Sequence, residues 1–247
     1  MEISKQKIGQ RFQLETKYFR PSYAPGKSAK TLEPPSPRII SLPQPQIDNG
    51  PSLWKVLRTR RSIRDYIQEP LSQSKLSTLL WATQGITEIA SSPWYRTAPS
   101  AGALHPIDTY LGINRVEGAE PGIYFLHIAD FALQMKKQGD FSGQIGAAAL
   151  DQDVVQAAAV VFIWVAVIAR CRQKYHERAY RYIYLDCGHI CQNLYLAATA
   201  MNLGCCGIAA FFDDEVNEVV GVDGQEETAI YLATVGKKEG LRRWENL

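Results

Sequence analysis

The clearest pattern of apolar positions in the chain lies between Ile183 and Met201. Apolar residues recur there at spacings of three and four, which predicts a long amphipathic helix. The recurring positions are Ile183, Cys187, Ile190, Leu194, Ala197 and Met201. Because several intervening residues are also small or apolar, we expect this helix to lie in a deep core or at an interface. Gly204 is predicted to end it.

A second apolar run, continuous rather than periodic, extends from Val154 to Ala169. Its interior, VVFIWVAVI, is β-branched and aromatic, which is typical of a strand buried on both faces. The run is shorter than the roughly 20 residues that a membrane-spanning helix needs. We therefore predict a core strand and no transmembrane segment.

Shorter patterns complete an alternation of helices and strands. Ser52 precedes an apolar run as a helix N-cap does, and a second helix is predicted from Ser72 until Gly85 ends it. Asp213 is predicted to cap a further short helix that runs through Val220, and another short helix is predicted within 141–150. The strand-like runs are IDTYLGINRV, GIYFLHI, CGIAAFF and TAIYLATVG. Helices combined with mostly hairpin-linked strands predict an α+β fold.

The first 50 residues differ from the rest. Eight of the 13 prolines lie between Pro21 and Pro51. Proline fixes φ and removes a hydrogen-bond donor, so we expect an extended, irregular segment. It is either disordered or wrapped around a partner subunit. The predicted organisation is a proline-rich N-terminal arm, 1–50, and one folded domain, 51–247.

Charge and cysteine content narrow the class of protein. The formal net charge is +2, which gives no reason to expect nucleic acid or an anionic membrane as the main partner. The N-terminus lacks an apolar core of signal-peptide length. Five cysteines in a late cluster do not resemble a disulfide framework. We predict a cytoplasmic protein with reduced thiols that binds a small molecule.

A basic segment, Arg60-Arg61-Ser62-Ile63-Arg64, is the first candidate for chemistry. In an extended segment successive side chains alternate faces, so Arg60, Ser62 and Arg64 would point the same way. Two guanidinium groups and a hydroxyl on one face suit a phosphate. The alternative is a solvated basic edge.

Two segments of small residues and a basic tail are further candidates. The first, 99–106, is either a rigid loop that approaches a flat ring or a surface turn. The second, 204–211, is either a ligand-contacting strand or a tightly packed strand entry. Near the C-terminus, Lys237, Lys238, Arg242 and Arg243 either complete an anion site or form a solvated tail.

Metal and nucleotide motifs are missing from the sequence. Cys187 and Cys191 lie one helical turn apart with His189 between them, but no CxxC pair or HExxH motif accompanies them. Buried cysteines acting as small apolar residues are the better interpretation, and no metal is predicted. Neither a GxGxxG fingerprint, a Walker A loop nor a GxSxG elbow is present.

In order along the chain, RRSIRDY, TAPSAGALHP and LDCGHICQNLYLAATAMNLGCCGIAAF resemble the nitroreductase superfamily. Within it, PSAGALHP and DCGHICQNLYLAA are most similar to the SagB-type dehydrogenases, which include azoline oxidases of thiazole- and oxazole-forming pathways. The arm, with RFQLETKY, is similar to stand-alone members of that branch. The likeness covers nearly the whole chain.

The resemblance implies an α+β homodimer with a mixed, mainly antiparallel sheet flanked by helices and a dimer-forming central helix. Each FMN would contact both subunits. The residues implied for the phosphate and ribityl chain are Arg60, Arg61, Ser62, Arg64 and Lys237, with Arg242 a weaker candidate. Those implied for the isoalloxazine are Pro99, Ser100, Ala101, Gly102 and Gly207, with the backbone amides of Ala209 and Ala210.

The implied activity is hydride transfer through flavin N5 between a donor, NAD(P)H in much of the family, and a nitro, quinone, enone or azoline substrate. Lys174 and Tyr175 match the place of a Lys-Tyr pair implicated in proton abstraction by azoline oxidases. The alternative is an exposed loop, KYHER. Trp94 and Tyr95 would form an aromatic lid or simply pack. The other functional hypotheses are a non-catalytic FMN-binding or redox-sensing dimer and a flavin-free structural dimer.

Overall fold

A computed structural model describes residues 7–21, 38–89 and 94–239. The α-helices in these residues are α1 (Ile8–Glu15), α2 (Leu53–Thr59), α3 (Gln73–Gln84), α4 (Ser142–Ala148), α5 (Asp153–Ala157), α6 (Ile168–Tyr175), α7 (Ala179–Ala200) and α8 (Asp213–Val220). The strands are β1 (Ile39–Ser41), β2 (Ile86–Glu88), β3 (Tyr95–Arg96), β4 (Ile107–Ile113), β5 (Gly122–His127), β6 (Ala132–Gln138), β7 (Val160–Val167), β8 (Leu203–Ile208) and β9 (Glu227–Lys237). Short 3₁₀ turns lie at Ala101–Ala103 and His176–Arg178.

Seven strands form one sheet in the order β1-β6-β5-β4-β7-β9-β8. Every pair of neighbouring strands in it is antiparallel. In the described residues, parallel pairing is confined to two isolated bridges, Tyr18 with Phe212 and Leu71 with Val116. The predicted α+β fold with a mainly antiparallel sheet is therefore confirmed.

Strand β7 lies in the interior of the sheet and is buried on both faces, as its composition predicts. Its side chains alternate: Phe162 and Trp164 join a core with α3, α6 and α7, whereas Val161 and Ile163 join a core with α4, α5 and α8. This alternation follows from the two-residue period of a strand. The sheet is thus enclosed by two layers of helices.

The long apolar run does not form a strand along its whole length. Its first residues belong to α5, and from Ile168 onward the chain turns into α6. Continuous apolar character does not distinguish a buried strand from the end of a buried helix. The strand prediction is therefore confirmed only for the interior of the run, which forms β7.

Helix α7 matches the predicted long helix, and its periodic residues Ile183, Cys187, Ile190 and Leu194 are buried, whereas Ala197 and Met201 are half-buried. It ends at Ala200, however, and Gly204 lies within β8. A Cβ atom at Gly204 would lie 2.6 Å from the ring of Tyr66. The glycine is thus required for close packing of β8 and does not terminate the helix. No helix in the described part of the chain is long and apolar enough to cross a membrane.

Two N-caps were predicted, and the structure confirms the one at Ser52 but not the one at Asp213. The hydroxyls of Ser52 and Ser72 accept hydrogen bonds from the backbone N–H groups of Lys55 and Lys75. Asp213 is instead the first residue of α8, and its carboxylate accepts from the backbone N–H of Tyr18. The expected N-cap is therefore wrong there, because a distant segment uses the carboxylate.

The described start of the arm packs on its own chain. Helix α1, which no pattern predicted, places the backbone N–H groups of Gly9 and Gln10 on the carboxylate of Glu177, at 2.9 and 3.3 Å. Further along, Lys17 pairs with Asp214 at 2.6 Å. Residues 7–21 thus follow the surface of α7 and α8 of the same chain.

Candidate functional site

The basic segment after α2 lies against the β8–β9 edge without joining the sheet. The backbone N–H of Ile63 donates to the carbonyl of Cys205, and that of Ile67 donates to the carbonyl of Lys237, both at 2.9 Å. These two bonds hold the segment beside the end of α7. It forms no regular strand of the sheet.

Tyr195 of α7 brings two of the predicted residues together. The guanidinium of Arg60 lies over its ring, 5.3 Å from the centroid, and the hydroxyl of Ser62 is 3.1 Å from its hydroxyl. Arg61 turns back to donate to the carbonyls of Arg58 and Arg60. Arg60 and Ser62 therefore converge while the residue between them does not, as alternating side chains require.

Tyr195 also reaches strand β8. Its hydroxyl accepts a hydrogen bond from the backbone N–H of Gly207 at 2.6 Å. A Cβ atom at Gly207 would lie 2.5 Å from the hydroxyl of Tyr231, so only glycine fits. The amide of Gly207 already has a partner in the chain, which limits its direct use by a ligand.

The remaining cations of the predicted anion site are less closely placed. Burial raises the pKa of the Cys206 thiol, and Arg64 opposes this effect, which places Arg64 beside β8. The ammonium of Lys237 is held by Glu69 at 2.9 Å. Burial lowers the pKa of Lys238. Arg242 and Arg243 lie outside the described residues.

The small-residue loop is fixed by a residue that the sequence analysis missed, Asp186 of α7. The hydroxyl of Ser100 donates to its carboxylate at 2.5 Å, and the backbone N–H of Ala101 donates at 3.2 Å. The backbone N–H of His105 in turn donates to the Ser100 hydroxyl at 2.9 Å. Burial raises the pKa of Asp186, and the bonds from Ser100 and Ala101 oppose this effect. The sequence did contain a signal for this role: Asp186 is an acidic residue on the buried face of a predicted helix, and a buried carboxylate needs hydrogen-bond partners.

Gly102 joins this loop to Lys174 and Tyr175. It has φ of 62°, and a Cβ atom there would lie 2.6 Å from the Tyr175 hydroxyl and 3.0 Å from the Lys174 ammonium. The pair forms the last two residues of α6 and not a loop, and Lys174 is exposed. The ring of Tyr175 packs edge-on against Tyr182, with centroids 4.8 Å apart. Two separately predicted motifs thus meet at one glycine.

The residues predicted at the flavin edge follow the end of β8 directly. Pairing of β8 with β9 ends at Ile208, and Ala209 is exposed. The carbonyl of Ala210 accepts from the side-chain amide of Gln152 at 3.3 Å. Pro99 is exposed ahead of the other loop, and Trp94 and Tyr95 are exposed near it.

Buried polar groups lie behind the loop. His105 has φ of 45°, and burial, followed by the charge of Arg96, lowers its pKa to about 4. Burial also lowers the pKa of Arg96, to about 10. Its guanidinium donates to the side-chain carbonyl of Gln84 at 3.1 Å. His105 is therefore neutral at pH 7.

All five cysteines are free and buried. Burial raises the pKa of the Cys187 and Cys191 thiols, which disfavours the reactive thiolate. Within the described ranges no group of three or more His, Cys, Asp or Glu residues could hold a metal ion.

Comparisons with known proteins agree with this architecture. Residues 57–237 match the model of the nitroreductase family. A nitroreductase-like protein of Methanocaldococcus jannaschii is 33% identical over 186 residues, which make up 75% of this chain and 91% of that protein. The chain belongs to the nitroreductase family, a family of flavin oxidoreductases.

Two solved structures of nitroreductase-like proteins have the same fold. The one from Anabaena variabilis has a TM-score of 0.72 and 32% identity, and the match covers 83% of this chain and 42% of that chain. The one from Ralstonia eutropha has a TM-score of 0.72 and 26% identity, with coverages of 89% and 99%. The chain thus spans less than half of the first structure and nearly all of the second.

More distant relatives belong to a toxin-processing system. The trifolitoxin operon protein TfxC of Rhizobium leguminosarum is 22% identical over 73% of this chain and 54% of its own length. The trifolitoxin-processing protein TfxB is 26% identical over 58% of this chain and 40% of its own length. The chain spans about half the length of these two relatives.

Proposed function

We propose that this protein is an FMN-dependent oxidoreductase that works as a homodimer and passes hydride between a donor and an organic substrate. The observation that carries the proposal is the convergence of Arg60 and Ser62 on Tyr195 at the end of α7. A guanidinium and a hydroxyl that converge on one half-buried ring suit a phosphate monoester. Membership of the nitroreductase family supports a flavin as the phosphate-bearing ligand.

The residues present fit FMN in three respects. Arg60, Ser62 and Arg64 would hold the phosphate and ribityl chain, with Lys237 able to join them if Glu69 releases it. The loop around Gly102 has no side chain at its most confined point, which allows close approach to a flat ring. Beyond β8, the amides of Ala209 and Ala210 would face the flavin edge as hydrogen-bond donors.

The two parts of this site lie on different faces of α7, which supports a dimer. Asp186, which holds the loop, and Tyr195, which holds Ser62, are nine residues apart. At about 100° and 1.5 Å per residue they point in opposite directions, roughly 13 Å apart along the axis. One flavin that contacts both sets would therefore take the loop from one subunit and the phosphate site from the other.

Exposed apolar side chains also support a second copy as the partner. Trp54 and Leu53 of α2 are 77% and 55% exposed, and Leu185 of α7 is 54% exposed. A Cβ atom at Gly188, one turn from Leu185, would meet nothing within 4 Å. Large exposed apolar residues beside an open helix face are typical of an interface.

Bound FMN supplies hydride transfer at N5. The chain's own residues would position the substrate over the ring and hold a proton at the Lys174 ammonium or the Tyr175 hydroxyl. Both groups lie beside the loop at Gly102. Lys174 is exposed in the single chain, and a second subunit would give it the drier surroundings that a base needs.

We place the protein in the SagB-type branch and propose NAD(P)H as one electron donor. The trifolitoxin relatives and the matching position of Lys174 and Tyr175 support this placement. The substrate class is a nitro, quinone, enone or azoline compound. The flavin-binding part would begin near residue 51, shortly before the family match begins at residue 57, and β1 from the arm pairs with β6 at the edge of the sheet.

The test is an absorption spectrum of the purified protein after addition of FMN and desalting. Retained flavin bands at one FMN per subunit, with a dimer by light scattering, are expected. Anaerobic NADPH and NADH should then bleach the bands, and an added quinone should restore them. Bands that no donor bleaches would favour the non-catalytic FMN-binding dimer, and a protein that retains no flavin would refute the proposal.

A further inference from the structure

We propose that Tyr195 is a positioning residue that orients the Ser62 hydroxyl as a hydrogen-bond donor toward the phosphate of the bound flavin. This inference rests on the proposed function, since it assumes that Ser62 faces FMN. It assigns a role to a phenol on the central helix that none of the sequence motifs singled out.

The direction of the hydrogen bonds follows from counting protons. The Tyr195 hydroxyl accepts the backbone N–H of Gly207 at 2.6 Å, which uses one lone pair and leaves its own proton to donate. Ser62 lies 3.1 Å away. If Tyr195 donates to Ser62, the Ser62 hydroxyl keeps its proton for an acceptor outside the chain. Phosphate oxygens are such acceptors.

The opposite direction of the hydrogen bond between Ser62 and Tyr195 would disfavour anion binding. If Ser62 donated to Tyr195, it would present only oxygen lone pairs, which repel phosphate. Tyr195 would then donate to the thiol of Cys206, with which it also interacts. Sulfur is a weak acceptor compared with a hydroxyl oxygen. An anion near Ser62 therefore favours a chain of hydrogen bonds in which the Gly207 N–H donates to the Tyr195 hydroxyl and the Tyr195 hydroxyl donates to the Ser62 hydroxyl.

The surroundings keep Tyr195 protonated and in place. Burial raises the pKa of its phenol, so the proton that it donates is present at neutral pH. The guanidinium of Arg60 lies over the ring and restricts its rotation. Hydrogen bonds in such a chain polarise one another, so the terminal donor is stronger than an isolated serine hydroxyl.

The experiment compares two flavins that differ only in the phosphate. Dissociation constants of FMN and riboflavin are measured by flavin fluorescence for the wild-type protein, Tyr195→Phe and Ser62→Ala. We expect Tyr195→Phe to weaken FMN binding about tenfold and to leave riboflavin binding nearly unchanged, because the lost hydrogen bond serves a charged group. Ser62→Ala should give a similar loss, and the double variant should lose little more.

The matched control is Tyr184→Phe. It removes a phenol hydroxyl on the same helix, which is bonded to the side chain of Gln13 and not to the anion site. Its affinities for both flavins should equal those of the wild-type protein. Ser62→Ala alters an exposed side chain, so it remains informative if Tyr195→Phe folds poorly.

Four results would overturn the inference. Equal losses of FMN and riboflavin affinity would show that Tyr195 only maintains the fold. If Tyr195→Phe kept the wild-type affinity for FMN, or if the losses in the double variant were additive, Tyr195 would not act through Ser62. If the wild-type protein binds neither flavin, the proposed function fails first and the inference fails with it.

Discussion

The hydroxyl of Ser100 donates a 2.5 Å hydrogen bond to the carboxylate of Asp186, which is buried within α7. The same carboxylate accepts the backbone N–H of Ala101. A side chain of the central helix thereby fixes the loop proposed to contact the flavin ring. The position of that loop depends on α7 as well as on its own residues.

Replacing Asp186 by alanine should loosen this loop. The Ser100 hydroxyl and the Ala101 amide would lose their acceptor in a buried place, at a cost of about 1–3 kcal/mol. Urea denaturation should show this loss in the free energy of unfolding. Asp186→Asn, which keeps one acceptor oxygen, should lose less. Equal stability of Asp186→Ala and the wild-type protein would contradict the role.

Gly102→Ala should be harmful in a way that Gly143→Ala is not. At Gly102 a methyl group meets a left-handed backbone, at about 1–2 kcal/mol, and approaches the Tyr175 hydroxyl to 2.6 Å. Gly143 lies in α4, where a methyl group meets nothing within 4 Å, so alanine should be neutral or slightly stabilising. Thermal denaturation of the two variants checks the contrast, and equal melting temperatures would count against it.

Lys174→Gln should slow turnover about 10²-fold without weakening FMN binding, if Lys174 transfers a proton during the reaction. The measurement is steady-state kinetics with the donor and acceptor that support turnover, beside FMN titration. Lys136→Gln, which changes an exposed lysine on β6, is the control and should leave turnover and FMN binding unchanged. Unchanged turnover in Lys174→Gln would remove the lysine from the mechanism.

Leu185→Glu should convert the proposed dimer to monomers, because a carboxylate would be buried in an apolar contact. Light scattering after gel filtration measures the mass. Ile47→Glu is matched for exposure, 52% against 54% for Leu185, and should remain dimeric. If Leu185→Glu still formed a dimer with the wild-type dissociation constant, the interface would not lie on this face of α7.

His105 should make the protein acid-sensitive. Its pKa is about 4 in the folded chain and 6.5 in the unfolded chain. Below pH 6.5 the unfolded chain binds the proton first, so the stabilisation present above 6.5 is lost as the pH falls toward 4. Denaturation midpoints between pH 7 and pH 5 should therefore fall less steeply in His105→Asn than in the wild-type protein.

His176→Asn is the matched control for this pH effect. His176 is exposed, and its φ of 49° is close to the 45° of His105, so the control removes an imidazole from a backbone with a similar φ. The control should retain the wild-type slope. If both variants keep that slope, His105 does not cause the acid sensitivity.

Elements with a strong local pattern could be predicted from the sequence, whereas those with a weak pattern could not. Strand β7 and helix α7 lie in the core, where burial imposes the periods of two and 3.6 residues on the sequence. Strand β6 was missed because half of its side chains reach the surface and its segment, ALQMKKQ, carries two lysines. Helix α1 was missed because it has no buried residue.

The sequence alone also determined which residue types could form the proposed site, because RRSIRDY and PSAGALHP are each an unbroken segment of the chain that can be recognised without the fold. Only the tertiary structure decided what those residues contact. Ser62 and Tyr195 are separated by 133 positions, and Ser100 and Asp186 by 86. Contacts over such distances depend on how α7 packs against the sheet, and no local period encodes that packing. The helical period by itself places Asp186 and Tyr195 on opposite faces of α7, but only the tertiary structure decides that one contacts Ser100 and the other Ser62.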